Sequence, residues 1–299
     1  MFVKRCKEFR KLLSTDCLML PGAFNGMSAR LVAEKGFKGC YISGAAITGD
    51  YGVPDIGLLT LPEFSAKIKQ VAMSSSLPII CDADTGFGEG EAMARTVYDY
   101  FLNGASGLHI EDQVFPKRCG HLDGKTLITA QEMSDKIRIA KKASNEVSEG
   151  QFIICARTDA KGVHGIEETI KRSIQYREAG ADMIFPEGLA TREEFDIVSK
   201  AIREHDKETM LLANMTEFGK TPYITLEEFK AMGYNCVIYP VSTFRVANKA
   251  IDEFLEGLAR DGTQKEMLGS MQTRKELYNT LKYTPGKEWY YPQSSDPKN

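Results

Sequence analysis

Short apolar runs alternate with amphipathic stretches along most of this 299-residue chain. The runs lie at 17–24, 39–44, 77–84, 107–112, 152–159, 183–188, 211–215 and 235–240. They are rich in Ile, Leu, Val and Cys and too short for helices, as expected of strands buried on both faces. Between them, residues 26–36, 62–73, 89–103, 129–146, 166–179, 192–204 and 226–232 carry helical periodicity, and an eighth such stretch follows at 243–258. Eight strands in strict alternation with helices predict an α/β fold of the (β/α)8 TIM-barrel type, and the length agrees. An open doubly wound sheet would call for a GxGxxG turn after the first strand, and that pattern is missing. The barrel is expected over about residues 15–260 of a single domain spanning 1–299. A further helix at 264–282 and a loose tail at 283–299 follow; a barrel does not need that helix for closure, so it is expected to pack on a neighbouring subunit.

Polar residues break this pattern at one recurrent place, the C-terminal ends of the runs. Asp82 and Asp84, Glu111 and Asp112, Arg157 and Asp159, Glu187, then Asn214, Thr216 and Glu217 all stand there. In a barrel these ends meet at one mouth, where active sites of this fold lie. Clustered carboxylates repel one another unless a cation or a substrate compensates, so folding alone does not account for them. Two long connections border the same mouth: 45–60, which contains Asp55, and 113–128. Loops of that length are commonly lids or binding loops.

Net charge and cysteine usage narrow the class. A formal charge of −3 with no basic block argues against a nucleic-acid surface. No apolar run approaches the roughly 20 residues that span a bilayer. The basic N-terminus (Lys4, Arg5, Lys7, Arg10, Lys11) includes Glu8 and runs into Ser14-Thr15-Asp16, which reads as a structured helix rather than a targeting segment. Seven cysteines without a CxxC pair suit a reducing compartment, cytoplasmic or, for a eukaryotic chain, the mitochondrial matrix. Cys119 differs from the others in standing between Arg118 and Gly120, beside His121, in a loop. Cations lower a thiol's pKa, and a loop gives it access to substrate.

Asp82-Ala83-Asp84 sets two carboxylates on one side of a strand near Glu111. Oxygen donors without zinc spacing favour Mg²⁺, with Mn²⁺ as the alternative. Arg157 at the end of an apolar strand needs an anionic partner: either Asp159 in a salt bridge or a substrate carboxylate held by its fork. Arg245 and Arg274 are further candidates for such a clamp, His121 is a candidate substrate contact, and His109 reads as a packed core imidazole. No GxSxG and no P-loop is present. A divalent metal, arginines and a poised thiol point to a small di- or tricarboxylate substrate, with Cys119 giving or taking a proton.

The segments Tyr41-Ile42-Ser43-Gly44, Asp82-Ala83-Asp84-Thr85-Gly86-Phe87-Gly88, His109-Ile110-Glu111-Asp112-Gln113, Lys117-Arg118-Cys119-Gly120-His121, Ala156-Arg157-Thr158-Asp159, Phe185-Pro186-Glu187 and Asn214-Met215-Thr216-Glu217-Phe218-Gly219 together resemble the isocitrate lyase/phosphoenolpyruvate mutase superfamily, and within it the 2-methylisocitrate lyase branch. The likeness continues through Phe244-Arg245 and Gln272-Thr273-Arg274 almost to the C-terminus. It implies Mg²⁺ at Asp82 and Asp84, largely through water, with Glu111 in support. It implies a substrate held by Ser43, Gly44, Ala45, Asp55, Gly120, His121, Arg157, Glu187, Asn214, Thr216, Arg245 and Arg274. It makes Cys119 the catalytic acid, Tyr41 a candidate base and Arg157 a catalytic cation, in a retro-aldol cleavage to pyruvate and succinate. Related phosphonate mutases lack this thiol. The superfamily is typically tetrameric with terminal helices exchanged between subunits. Cleavage of 2,3-dimethylmalate, hydrolysis of oxaloacetate, and a non-catalytic oxyacid-binding barrel remain the alternatives.

Overall fold

Eight parallel strands form the centre of the computed structural model, which describes residues 1–118, 120 and 124–289. They are β1 (Leu18–Pro21), β2 (Cys40–Ile42), β3 (Ile79–Asp82), β4 (Gly107–Glu111), β5 (Ile153–Thr158), β6 (Met183–Pro186), β7 (Met210–Asn214) and β8 (Cys236–Tyr239). The helices are α1 (Phe2–Thr15), α2 (Gly26–Glu34), α3 (Gly44–Asp50), α4 (Leu61–Ser74), α5 (Glu91–Leu102), α6 (Ala130–Ser148), α7 (Lys161–His164), α8 (Ile166–Glu178), α9 (Arg192–His205), α10 (Leu226–Ala231), α11 (Ser242–Asp261) and α12 (Arg274–Thr280). Strand order runs β1-β8-β7-β6-β5-β4-β3-β2. The cylinder closes between β1 and β2 through the parallel Gly22–Tyr41 bridge, where Ala23 N–H donates to the Tyr41 carbonyl at 2.8 Å.

The strand period of two divides the apolar runs between two cores. Leu20, Tyr41, Ile80, Ile153, Cys155, Met183, Phe185, Leu212, Cys236 and Ile238 point inward and form one cluster with Phe9 and Leu13 of α1. Ile42, Cys81, Leu108, Ile110, Ile154, Ala156, Ile184, Ala213 and Val237 point outward beneath the helices. The basic N-terminal segment is therefore a plug for the lower end of the barrel. Arg10 donates to the carbonyls of Gln151 and Gly150 at 2.9 and 3.0 Å, and Asn235 donates to Leu13 O at 2.9 Å. Several helices begin with a threonine three residues ahead of a glutamate: Thr60–Glu63, Thr129–Glu132, Thr225–Glu228 and Thr273–Glu276 are reciprocal capping boxes.

Three elements differ from the sequence expectation. The 45–60 connection opens with α3, started by Ser43 Oγ, which accepts from Ala46 N–H at 3.4 Å. The helix expected at 264–282 is two pieces, a 3-10 turn over Lys265–Ser270 and α12, because Gly269 and Ser270 interrupt the first and Thr273 caps a fresh start. The largest difference is α11. It was expected to complete the ring of helices, yet among its residues Gly257 alone is buried, and Val246, Ile251 and Leu255 are 70, 54 and 54% exposed. Helical periodicity specifies that a face is apolar but not which surface covers it.

Candidate active site

The inward column of each central strand changes from apolar to polar at its last position. Ile80 is followed two residues on by Asp82, Cys155 by Arg157, Phe185 by Glu187, Leu212 by Asn214, and buried His109 by Glu111. Strand register places Glu111 beside Arg157. Register pairs Asp82 with His109 and Arg157 with Phe185, so the polar layer at the top of the barrel steps by two residues between β3 and β4 and again between β5 and β6.

Arg157 is the centre of that layer and is 8% exposed. Its guanidinium donates two hydrogen bonds to Asp159, at 2.9 and 3.2 Å, and lies 3.3 Å from Glu111 Oε2 and 3.7 Å from Glu187 Oε2. Glu187 in turn accepts from Asn214 Nδ2 at 3.1 Å. The salt bridge to Asp159 anticipated as one alternative is present, and Arg157 also lines the central cavity.

The aspartates of the DxD pair are buried and differently tied. Asp82 accepts from the Gly44 and Asp84 N–H groups at 3.0 and 3.1 Å. A Cβ on Gly44 would stand 2.8 Å from Asp82 Oδ2, so only glycine permits this approach. Asp84 has a left-handed backbone (φ 45°) and pairs with the Lys117 ammonium at 2.8 Å, which also reaches Asp55 at 2.5 Å. Burial pushes the Asp84 carboxyl up to about 6, and burial holds that of Glu111 well above its ordinary range despite Arg157 and Lys117. Neither carboxylate oxygen of Glu111 accepts a hydrogen bond from a described residue.

Below the layer, Tyr41 Oη lies 2.8 Å from His109 Nε2, and His109 Nδ1 lies 3.7 Å from Asp82. Burial holds the imidazole near 4 against the pull of Asp82, so it is neutral at pH 7 and accepts from the phenol. The expectation of a core imidazole is met, but its partner is the candidate base. Burial, with Asp82 nearby, raises the Tyr41 phenol well above its ordinary value.

These groups enclose a cavity of about 60 Å³. Of the residues marked from the sequence, Tyr41, Ser43, Ala45, Asp55, Asp82, Gly120, Arg157, Glu187, Asn214 and Thr216 line it, while Gly44, Asp84 and Glu111 stand directly behind. Phe185, Ile238, Pro240 and Val241 supply its apolar wall. Gly120 is the roof: a Cβ on it would stand 2.5 Å from both Arg157 Nη2 and Glu187 Cγ. Cys119 and His121 lie outside the described residues. Arg245 does not line the cavity; it sits half exposed 3.7 Å from Glu217, over the Phe218 ring. Arg274 is exposed at the start of α12, whose other end meets α2 through Thr280 and Glu34 at 3.1 Å. Lys117 and Lys125 are site residues that the sequence does not mark, because a lysine in a glycine-containing loop carries no local sign that it will be buried.

The charge count and donor chemistry test whether a divalent cation fits. Among the described residues, five buried carboxylates (Asp82, Asp84, Glu111, Asp159 and Glu187) and partly exposed Asp55 face three cations (Lys117, Lys125 and Arg157). Among the described residues no three of His, Cys, Asp and Glu lie close enough to ligate one ion together. An excess of oxygen anions and, at Glu111, a buried carboxylate that accepts no hydrogen bond from a described residue make a donor set that fits Mg²⁺.

The chain is similar to known proteins in sequence and in fold. The family described as phosphoenolpyruvate phosphomutase matches residues 9–259. The chain is 45% identical to the 2-methylisocitrate lyase of Bacillus subtilis over 92% of its own length and 89% of that protein. Among solved structures, a 2,3-dimethylmalate lyase superposes with a TM-score of 0.85 at 35% identity, over 92% of this chain and 91% of that one. An oxaloacetate acetylhydrolase bound to 3,3-difluorooxalacetate superposes with a TM-score of 0.86 at 34% identity, over 93% of each chain.

Proposed function

Because the chain belongs to the phosphoenolpyruvate mutase/isocitrate lyase superfamily and is a lyase of the methylisocitrate lyase type, we propose that it cleaves 2-methylisocitrate to pyruvate and succinate in a retro-aldol reaction. The observation that carries the reading is the convergence of Arg157, Glu187, Asn214 and the DxD pair on one roofed cavity. Asp82 and Asp84, with Glu111 behind them, would hold Mg²⁺. When bound, it would supply Lewis acidity to the substrate hydroxyl and to the carbonyl that develops from it.

Tyr41 takes the hydroxyl proton as it passes its own to His109 Nε2, and the imidazole returns that proton through water to the Cys119 thiolate once the carbanion has been protonated. The C–C bond between the carbinol carbon and its neighbour breaks, leaving pyruvate and the aci-carboxylate of succinate. The Arg157 fork stabilises that charge, and Asn214 and Glu187 orient it. Cys119, carried by the loop between Lys117 and Gly120, delivers its thiol proton to the carbanion. Phe185, Ile238 and Pro240 form the wall for the methyl group of the carbinol carbon. One methyl is worth about 1–3 kcal/mol in such a wall, so the shape supports this substrate over smaller relatives without excluding them.

The solved relatives support a second reading within the same chemistry, cleavage of 2,3-dimethylmalate or hydrolysis of oxaloacetate. The test is a panel of 2-methylisocitrate, isocitrate, 2,3-dimethylmalate and oxaloacetate, each with and without EDTA. Pyruvate with succinate from the first alone, abolished by EDTA, is the expected result. Propionate or oxalate release would replace the substrate assignment. The uncovered apolar face of α11 supports a homo-oligomer, a tetramer with exchanged helices, in which a second copy covers Val246, Ile251 and Leu255.

A further inference from the structure

Asp112 directly follows Glu111 at the end of β4, and its buried side chain turns from the mouth toward α8. Its Oδ1 accepts from the Asp159 N–H at 2.9 Å. Its Oδ2 accepts from Thr158 Oγ1 at 2.7 Å, Tyr176 Oη at 2.8 Å and Arg172 Nη1 at 3.0 Å. Arg172 and Tyr176 both belong to α8, are buried, and are themselves joined by a hydrogen bond of 3.1 Å from Nη1 to Oη. A carboxylate offers about four lone-pair sites, so Asp112 has none left for a proton, a metal or a substrate.

What it does hold is the backbone of Asp159, whose carboxylate receives two hydrogen bonds from Arg157 at 2.9 and 3.2 Å. Two other carboxylates compete for that guanidinium: Glu111 Oε2 lies 3.3 Å from Nε and Glu187 Oε2 lies 3.7 Å from Nη1. Coulomb attraction varies only as the inverse of distance, so it discriminates poorly among three like charges this close. Hydrogen-bond direction does discriminate, and direction depends on where Asp159 is anchored. Glu111 accepts no hydrogen bond from a described residue, so it stands open to the guanidinium if Asp159 moves. We propose that Asp112, held by Arg172 and Tyr176, is a positioning residue: it fixes the Thr158–Asp159 backbone and so keeps the Arg157 fork on Asp159 rather than on Glu111. The inference rests on the reading of Arg157 as the cation that stabilises the developing charge. It assigns Asp112 no contact with substrate and no proton transfer.

The test compares full-length wild type with Asp112→Asn, Tyr176→Phe and a control, Ser173→Ala, by pyruvate release and by crystal structures of the ligand-free proteins. Ser173 is buried on the same helix and donates to the Thr169 carbonyl at 2.7 Å, apart from the bonds that lead to Arg157. The amide of Asp112→Asn keeps the shape of the carboxylate but turns an NH2 group toward donors. Its kcat is expected to fall on the order of 10²-fold, as the fork is misplaced by about an ångström. Its KM should stay within about threefold of wild type. Tyr176→Phe removes one donor and leaves the carboxylate, so its kcat falls between those of wild type and Asp112→Asn. Ser173→Ala lowers the urea midpoint and leaves kcat unchanged. In crystals of Asp112→Asn, Arg157 is expected to donate to Glu111.

A network that only stabilised the fold would make Asp112→Asn behave as Ser173→Ala does, with a lower urea midpoint and an unchanged kcat per folded molecule. That outcome overturns the proposal, and so does a crystal structure of Asp112→Asn that retains both hydrogen bonds from Arg157 to Asp159. Should Asp112→Asn fail to fold, Tyr176→Phe carries the same two measurements. If wild type releases no pyruvate from 2-methylisocitrate, the substrate reading fails, and the partner of Arg157 in the crystal structures alone decides the role of Asp112.

Discussion

Replacing Arg157 by lysine separates the two roles the structure gives this side chain. The charge is kept, so the buried carboxylates of Glu111, Asp159 and Glu187 still face a cation and the fold survives. Removing the charge altogether would instead leave them uncompensated, at about 3–5 kcal/mol for a broken buried pair. What lysine cannot do is span both oxygens of Asp159, which the guanidinium reaches at 2.9 and 3.2 Å. One charge-assisted hydrogen bond is therefore lost, costing about 1.5–3 kcal/mol of stability, measurable by urea denaturation. The fork that faces the cavity is lost with it. If that fork stabilises the charge developing on the aci-carboxylate, kcat for pyruvate release falls on the order of 10²–10³-fold, as for other oxyanion donors. KM should rise far less, because the interaction is made in the transition state. A continuous assay of pyruvate with 2-methylisocitrate reads both constants. A variant whose kcat stays within about threefold of wild type while its stability falls would refute the catalytic role and leave Arg157 as a strut among three carboxylates.

Cys119→Ser should reduce turnover by orders of magnitude with an unchanged denaturation midpoint; near-normal pyruvate release would remove the thiol from the mechanism. In Gly120→Ala the added Cβ, 2.5 Å from Arg157 and Glu187, keeps the roof from seating, so kcat falls while circular dichroism is unchanged. Chelation by EDTA should abolish turnover and Mg²⁺ or Mn²⁺ restore it, and Asp82→Asn should weaken Mn²⁺ binding seen by electron paramagnetic resonance. Ile251→Glu on the uncovered face of α11 should shift the sedimentation coefficient toward that of the monomer; an unchanged coefficient would place the subunit contact elsewhere.

Read locally, the sequence identifies the barrel and the level of its site. Burial on both faces requires continuous apolar runs, and a period of two forces the last inward position of each run to face the mouth. Asp82, Glu111, Arg157, Glu187 and Asn214 were therefore visible as departures from an apolar pattern. Capping boxes such as Thr129–Glu132 mark helix starts for the same local reason, since their hydrogen bonds close within one turn. The tertiary structure alone decided which loop side chains go inward. Lys117 and Lys125 look like ordinary solvated lysines until barrel closure brings Asp55, Asp84 and Asp159 to them from 62, 33 and 34 residues away. Arg245 and Arg274 look like equal companions of Arg157 in the sequence, yet the folded chain leaves both outside the cavity. The apolar face of α11 is legible in its periodicity, but what covers it depends on a surface that a local pattern cannot specify. Periodicity encodes which side of an element avoids water, while the partner met there is set by contacts distant in the chain.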